Sequence, residues 1–103
     1  MSNAQFRAKS RILDMKLHAH HILVKHEYEA KDILRKLAEG KSFESLAKDF
    51  SLCSSASRGG DLGEIKKGQM VEAFERMLFK LRPNEISAVV RTQFGYHIIK
   101  RAA

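Results

Sequence analysis

The chain has 103 residues, of which 44% are hydrophobic and 30% are charged, as expected for one globular domain. It contains no apolar run of the roughly 20 residues that a membrane helix needs, and its charged N-terminus lacks the apolar stretch of a signal peptide. The only cysteine is Cys53, which excludes an internal disulfide and a multi-cysteine zinc site and suits a reducing compartment.

The net charge of +7 could attract nucleic acid or an anionic membrane surface. The first seventeen residues carry +3 of it, from Arg7, Lys9, Arg11 and Lys16 against Asp14, and acidic residues are interspersed through the rest. Because no nucleic-acid recognition motif accompanies this charge, we expect a solvated basic surface and no specific nucleic-acid partner. We interpret residues 1–17 as a flexible basic extension and residues 18–103 as the folded domain.

The first predicted elements are a strand and two helices. The β-branched apolar run 22–24 predicts a buried strand. From Tyr28 apolar residues recur at helical spacing, and Gly40 is expected to close this helix as a left-handed cap. Ser42 is the expected N-cap of a second, short helix. The residues that share the buried face of that helix are Phe43, Leu46, Ala47 and Phe50.

A loop, a strand, a helix and a hairpin follow. Composition predicts a loop over 51–60, and 61–65 is short enough to be a strand between glycines. A third helix is predicted to extend as far as Leu81 and to be ended by Pro83. Two β-rich runs, 86–90 and 96–100, predict a hairpin. This order of elements indicates an α+β domain around a small sheet.

Four of the five histidines lie within residues 18–26. Side chains alternate along a strand, so His18 and His20 point to one face of the sheet and His21 to the other. The four rings cannot converge, and two imidazoles are too few for a structural zinc site, so no metal is expected. His21 precedes an apolar run and needs a buried partner for its ring nitrogens. His97, in the middle of the last predicted strand, is the remaining candidate.

Six segments, taken together, resemble the parvulin family of peptidyl-prolyl cis/trans isomerases. They are His20-His21-Ile22-Leu23-Val24-Lys25, Phe43-Glu44-Ser45-Leu46-Ala47, Ser51-Leu52-Cys53-Ser54, Gly59-Gly60-Asp61-Leu62-Gly63, Gly68-Gln69-Met70-Val71-Glu72-Ala73-Phe74-Glu75 and Thr92-Gln93-Phe94-Gly95-Tyr96-His97-Ile98-Ile99-Lys100. The match runs from about His18 to Arg101, in order and at the family's spacing. It implies a parvulin-like fold of the FKBP-like superfold, with a four-stranded antiparallel sheet surrounded by three to four helices.

The resemblance also implies which residues form the site. The catalytic set would comprise paired histidines on neighbouring central strands, a Cys or Asp position beside them and a threonine in their hydrogen-bond network, here His21, His97, Cys53 and Thr92. The walls and rim of a partly open proline pocket would be Leu62, Gln69, Met70, Phe74 and Phe94. Without the resemblance, apolar residues at such spacing would be interpreted as ordinary core.

The resemblance also bears on Cys53 and Asn84. For Cys53, a nucleophile is disfavoured because isomerisation needs no covalent intermediate, which leaves a thiol that tunes the histidines or a buried structural residue. Asn84 replaces a glycine that is frequent in the family, and asparagine tolerates the left-handed backbone that the turn requires.

The implied activity is the isomerisation of X-Pro bonds without a cofactor, with proline-containing peptides or unfolded protein segments as partners. Only Lys25, flanked by Glu27 and Glu29, is available to meet a phosphate, so we expect the branch that is not phosphate-directed. The alternative is a proline-segment-binding chaperone or targeting module with little turnover. We expect a monomer in the cytoplasm, unless the chain is a domain of an exported foldase.

Overall fold

Four strands and three α-helices form the part of the chain that the computed structural model describes, residues 16–102. They are β1 (Lys16–Val24), α1 (Glu27–Ala38), α2 (Phe43–Phe50), β2 (Asp61–Lys66), α3 (Glu72–Leu78), β3 (Val90–Thr92) and β4 (Gly95–Arg101). A 3-10 helix, Ser54–Arg58, lies within the predicted loop. The predicted basic extension lies outside the described residues, except that Lys16 and Leu17 already belong to β1.

The strands form one antiparallel sheet in the order β2-β1-β4-β3, which confirms the predicted fold class. The two histidine-bearing strands, β1 and β4, are the central pair. Their register aligns His21 with Ile99 and Leu23 with His97. His21 and His97 are therefore diagonal neighbours, a relation that lets long or aromatic side chains meet on one face.

Each face of the sheet has its own hydrophobic core. On one face, Leu17 and Ala19 of β1 pack with Phe74 and Leu78 of α3. On the other face, the neighbouring positions of β1 pack against α1 and α2; the buried residues of that core include Ile22, Val24, Ala30, Ile33, Phe43, Leu46 and Ala47. The alternation predicted for β1 is thus present, and it directs His21 toward α3.

The predicted hairpin is present, but the strand predicted over 86–90 is wrong for most of its length. Ile86 makes an isolated bridge to Lys100, and the regular strand begins only at Val90. The reason is Ser87, whose backbone N–H donates to Ile99 O (2.8 Å) while its hydroxyl oxygen accepts from Ile99 N (2.9 Å). A side chain here replaces one half of the backbone ladder.

The third helix is shorter than predicted. It ends at Leu78, and Leu81 is buried in the turn that follows, where its N–H donates to Leu78 O at 3.1 Å. Pro83 therefore does not end the helix. Phe50 also departs from its predicted position, because at the last residue of α2 its side chain remains 43% exposed.

The turn that contains Asn84 has the expected left-handed backbone. Asn84 has φ of 68°, and its N–H donates to Arg101 O at 2.6 Å. The replacement of glycine by asparagine is thus accommodated. No helix among residues 16–102 is long and apolar enough to cross a membrane.

Candidate active site

A pair of buried histidines lies at the centre of the sheet. Nδ1 of His21 and Nδ1 of His97 are 3.1 Å apart, and the two rings stack with their centroids separated by 5.2 Å. Both side chains are 3% exposed. The structure therefore brings together the two histidines that the sequence pairs.

Thr92 extends this pair into a chain of hydrogen bonds. Its hydroxyl oxygen lies 2.6 Å from Nε2 of His97 and also accepts from the backbone N–H of Phe94 at 3.1 Å. If the hydroxyl donates to His97 Nε2, then His97 Nδ1–H donates to His21 and the proton of His21 resides on Nε2; reversing every donor is equally consistent. The tautomer of one ring therefore fixes that of the other.

Both rings are uncharged at neutral pH. Burial lowers the pKa of His97 to about 4, and burial together with the neighbouring His97 lowers the pKa of His21 to about 4. Nε2 of His21 is buried and has no hydrogen-bond partner within residues 16–102. The pair is thus a rigid polar centre and not a charged one.

Phe74 supports both histidines from α3. Its ring meets each imidazole edge to face, with centroid distances of 5.5 Å to His21 and to His97. The side chain is 0% exposed and is therefore covered in this structure, and its place in the wall of a proline pocket stays a prediction. It is covered because α3 packs directly onto the central strands, which makes Phe74 the floor beneath the histidines.

The other predicted pocket residues differ in how deeply they are buried. Leu62 and Met70 are partly buried and pack against the core cluster that contains Phe74. Phe94, in the turn between β3 and β4, is 61% exposed. Gln69 is exposed, and its side-chain oxygen accepts from Lys66 N at 2.6 Å, so it closes the turn before α3. Leu62, Met70 and Phe94 thus provide accessible apolar surface, whereas Gln69 is engaged in the turn.

Cys53 follows two residues, Ser51 and Leu52, that are hydrogen-bonded to the backbone of Leu23 in β1. The Ser51 hydroxyl accepts from Leu23 N at 3.0 Å, and Leu52 N donates to Leu23 O at 2.8 Å. Burial alone would raise the pKa of the half-buried thiol, but the hydrogen-bonding groups of Ser55 and Ser54 outweigh it and lower the pKa. Among residues 16–102, Cys53 makes no hydrogen bond to either buried histidine, so the structure offers no support for a Cys-His nucleophile.

Gly60 holds the backbone of His21, although it is not among the predicted site residues. His21 N donates to Gly60 O at 2.9 Å, and Gly60 N donates to Ser55 O at 2.9 Å. Gly60 has φ of 85°, and a Cβ there would lie 2.5 Å from His21 O. The pair Gly59-Gly60 in the sequence is the signal for this close approach.

The histidine pair lies apart from two cavities of the fold. One, of 350 Å³, is lined by Val24, Tyr28, Glu29, Asp32, Ile33 and Phe50. The other, of 390 Å³, lies along α3 and is lined by Lys67, Glu72, Glu75, Arg76, Phe79 and Lys80. Neither includes a predicted site residue.

Comparisons with known proteins agree with this geometry. Residues 21–103 match the family described as Rotamase, the PPIC-type PPIASE domain. The chain is 52% identical over 87 residues to the foldase protein PrsA of Bacillus subtilis, a match that covers 84% of this chain and 30% of that protein. The chain thus spans about a third of the length of this curated relative.

Solved structures of similar fold include a bacterial and an archaeal protein. The crystal structure of PrsA from B. subtilis has a TM-score of 0.85 at 46% identity, covering 97% of this chain and 40% of that one. The solution structure of NmPin, the parvulin of Nitrosopumilus maritimus, has a TM-score of 0.78 at 46% identity, covering 85% of this chain and 96% of that one. The chain therefore belongs to the Rotamase family of PPIC-type peptidyl-prolyl isomerase domains.

Proposed function

We propose that this chain catalyses the cis/trans isomerisation of X-Pro bonds in unfolded or flexible protein segments and so assists their folding. The observation that carries the proposal is the buried His21–His97 pair, held by Thr92 and Phe74 on the two central strands in a member of an isomerase family.

The chemical task is rotation about a peptide bond. The barrier is close to ~18–20 kcal/mol because rotation of the C–N bond removes amide resonance, and no covalent bond needs to be made or broken. Each ~1.4 kcal/mol by which an enzyme binds the twisted amide better than the planar amide raises the rate tenfold. A site that grips the proline ring and desolvates the amide favours the twisted state.

The exposed and partly buried apolar residues of the site are suited to binding the proline ring. Leu62 and Met70 present partly buried apolar surface against the core cluster that contains Phe74, and Phe94 is exposed at the turn between β3 and β4. A proline ring that contacts these side chains would leave its amide close to the polar centre of the site. The neutral histidine pair is suited to a fixed hydrogen-bonded environment rather than to proton transfer.

We further propose that substrates are not phosphorylated before proline. Lys25 lies in the two-residue connection between β1 and α1, next to Glu27 and Glu29 in the first turn of α1. Phosphate recognition usually relies on bidentate arginine, and this segment contains none. The chain is also proposed to act as a monomer, without nucleic acid, and the single Cys53 supports a reducing compartment.

The rival function is a module that binds proline segments with negligible turnover. The two are separated by following the isomerisation of a short Leu-Pro peptide with increasing amounts of the chain. We expect the rate to rise linearly with protein concentration at fixed temperature. Saturable binding of the peptide, detected by calorimetry, without any acceleration would instead establish the binding module.

A further inference from the structure

A second group of side chains lies on the opposite face of the sheet from the histidine pair. Along β1, His18 and His20 point to the face opposite His21. The rings of His18 and His20 stack, with centroids 5.3 Å apart and an angle of 18° between their planes. Asp61 at the start of β2 pairs with His20 in the sheet, and its Oδ1 lies 2.6 Å from Nε2 of His18. One donor atom from each of the three residues lies within 4.8 Å of the others.

We propose that His18, His20 and Asp61 bind one divalent first-row transition cation, such as Zn²⁺, across β1 and β2. Two imidazoles and a carboxylate suit Zn²⁺, Co²⁺ or Ni²⁺ rather than Mg²⁺ or Ca²⁺, which prefer oxygen ligands. Three protein ligands would leave a position for water. No metal was expected because only the two imidazoles of β1 were considered as ligands. The pairing of β2 with β1 supplies a third donor, Asp61.

The distances are close to what such an ion requires. Ligands about 2.1 Å from a tetrahedral ion lie about 3.4 Å from one another, so adjustments of about 1 Å would convert the cluster into a coordination shell. His20 contributes a ring nitrogen that is not already engaged: its Nδ1 is buried and has no hydrogen-bond partner within the described range 16–102. Metal ligation through Nδ1 would satisfy this nitrogen.

The surrounding charges also permit a cation. Lys100 pairs with His20 across β1 and β4, but its ammonium group lies 3.4 Å from the Glu44 carboxylate, which offsets its charge. His20 packs edge to face against Phe43, with a centroid distance of 6.4 Å, and this apolar contact limits the ring's motion. Asp61 is further oriented by accepting from Gly63 N at 2.7 Å.

The cluster spans an irregularity of the sheet. Ala19 pairs with Gly63 and His20 with Asp61, so Leu62 is an extra residue on β2 at a bulge. A metal that joins β1 to Asp61 would fasten this bulge, and Leu62 lies at the rim of the candidate proline site. The family model covers residues 21–103, so His18 and His20 precede the residues that this model matches.

Zinc titration of the full chain, stripped with a chelator and dialysed, tests the site directly. We expect one Zn²⁺ per chain by calorimetry and a melting temperature that rises with Zn²⁺ concentration. His18→Ala and His20→Ala should each weaken binding by more than about tenfold, the loss that an outer-shell partner alone can cause. The matched control is His26→Ala, which removes an exposed histidine outside the cluster and should bind as the wild type does.

Nuclear magnetic resonance of the wild-type chain provides a readout that needs no variant. Backbone amide signals of residues 18–20 and 61–63 should shift on adding Zn²⁺, and those flanking His97 should not. The proposal is overturned if no saturable binding occurs, if His18→Ala and His20→Ala bind as tightly as wild type, or if the shifts centre on His97.

Discussion

Burial keeps the rings of His21 and His97 uncharged, and this has a measurable consequence for stability. Each pKa falls from 6.5 to about 4 on folding, so the unfolded chain binds more protons between these values. The contribution of the two neutral rings to the free energy of unfolding is therefore fully present above pH 6.5. It is lost as the pH falls toward 4, by up to ~1.4 kcal/mol per pH unit for each ring.

Urea unfolding at several pH values measures this loss, and His97→Asn should reduce the slope because it removes one of the two rings. Stability that stays constant between pH 7 and pH 5 would contradict the neutral pair.

The activity should depend little on pH, because amide rotation needs no proton transfer. We expect kcat/KM to be flat from pH 6.5 to 8. A steep decrease within that range would indicate acid-base catalysis by a histidine.

Phe94 is the apolar residue of the site that is best suited to mutation. Because its side chain is 61% exposed, Phe94→Ala should lower kcat/KM for a Leu-Pro peptide by about tenfold while changing the free energy of unfolding by about 0.5 kcal/mol or less. Phe50→Ala is the matched control, since it truncates another exposed phenylalanine outside the site. Equal activity of the two variants would remove Phe94 from the site.

Phe74 cannot serve the same purpose. Truncating a fully buried phenylalanine to alanine typically costs about 3–5 kcal/mol, so a loss of activity in Phe74→Ala would include a loss of folding. From the sequence, Phe74 could be assigned to the site only through family resemblance. Its depth depends on how closely α3 packs on the sheet, which helical spacing does not specify.

At the scale of elements, Gly60 joins the segment before β2 to the backbone of β1. Gly60→Ala should destabilise the fold by about 1–3 kcal/mol from backbone strain, and more from the clash of Cβ with His21 O. Gly63→Ala is the control, because Gly63 also has positive φ (74°) but no atom lies within 4 Å of its Cβ position. Urea unfolding should show the larger loss for Gly60→Ala.

Histidine ring signals should also move in Gly60→Ala and stay in place in Gly63→Ala, because only the first substitution displaces the backbone of His21. If the two variants lose equal stability, the close approach of Gly60 has no energetic importance.

Elements that are encoded by residues close together in the sequence could be predicted, whereas features that depend on contacts between distant residues could not. The strand around Ile22 follows from its β-branched apolar run and the first helix from apolar periodicity, and asparagine's backbone preference explains why the turn at Asn84 is kept. The segment over 86–90 could not be predicted because the Ser87 hydroxyl interrupts a pattern that otherwise resembles a strand. Likewise, the meeting of Asp61 with His18 depends on strand pairing and on a bulge that no local pattern encodes.

For the whole molecule, the net charge of +7 should not produce a preference for phosphopeptides. A phosphoserine before proline would meet Lys25 beside Glu27 and Glu29, and salt screens more distant basic residues beyond ~8–10 Å. We expect kcat/KM for a pSer-Pro peptide to be no higher than for an otherwise identical Leu-Pro peptide. A tenfold or larger preference for the phosphopeptide would overturn the proposed substrate class.

The central claim is that the chain by itself rotates X-Pro bonds in unfolded protein. The most direct test is the refolding of a protein whose slow phase is limited by prolyl isomerisation, followed with increasing concentrations of the chain. We predict that the slow phase accelerates in proportion to the concentration of the chain while the fast phase keeps its rate. An unchanged or slowed slow phase, even with a higher yield of folded protein, would contradict isomerisation and indicate binding alone.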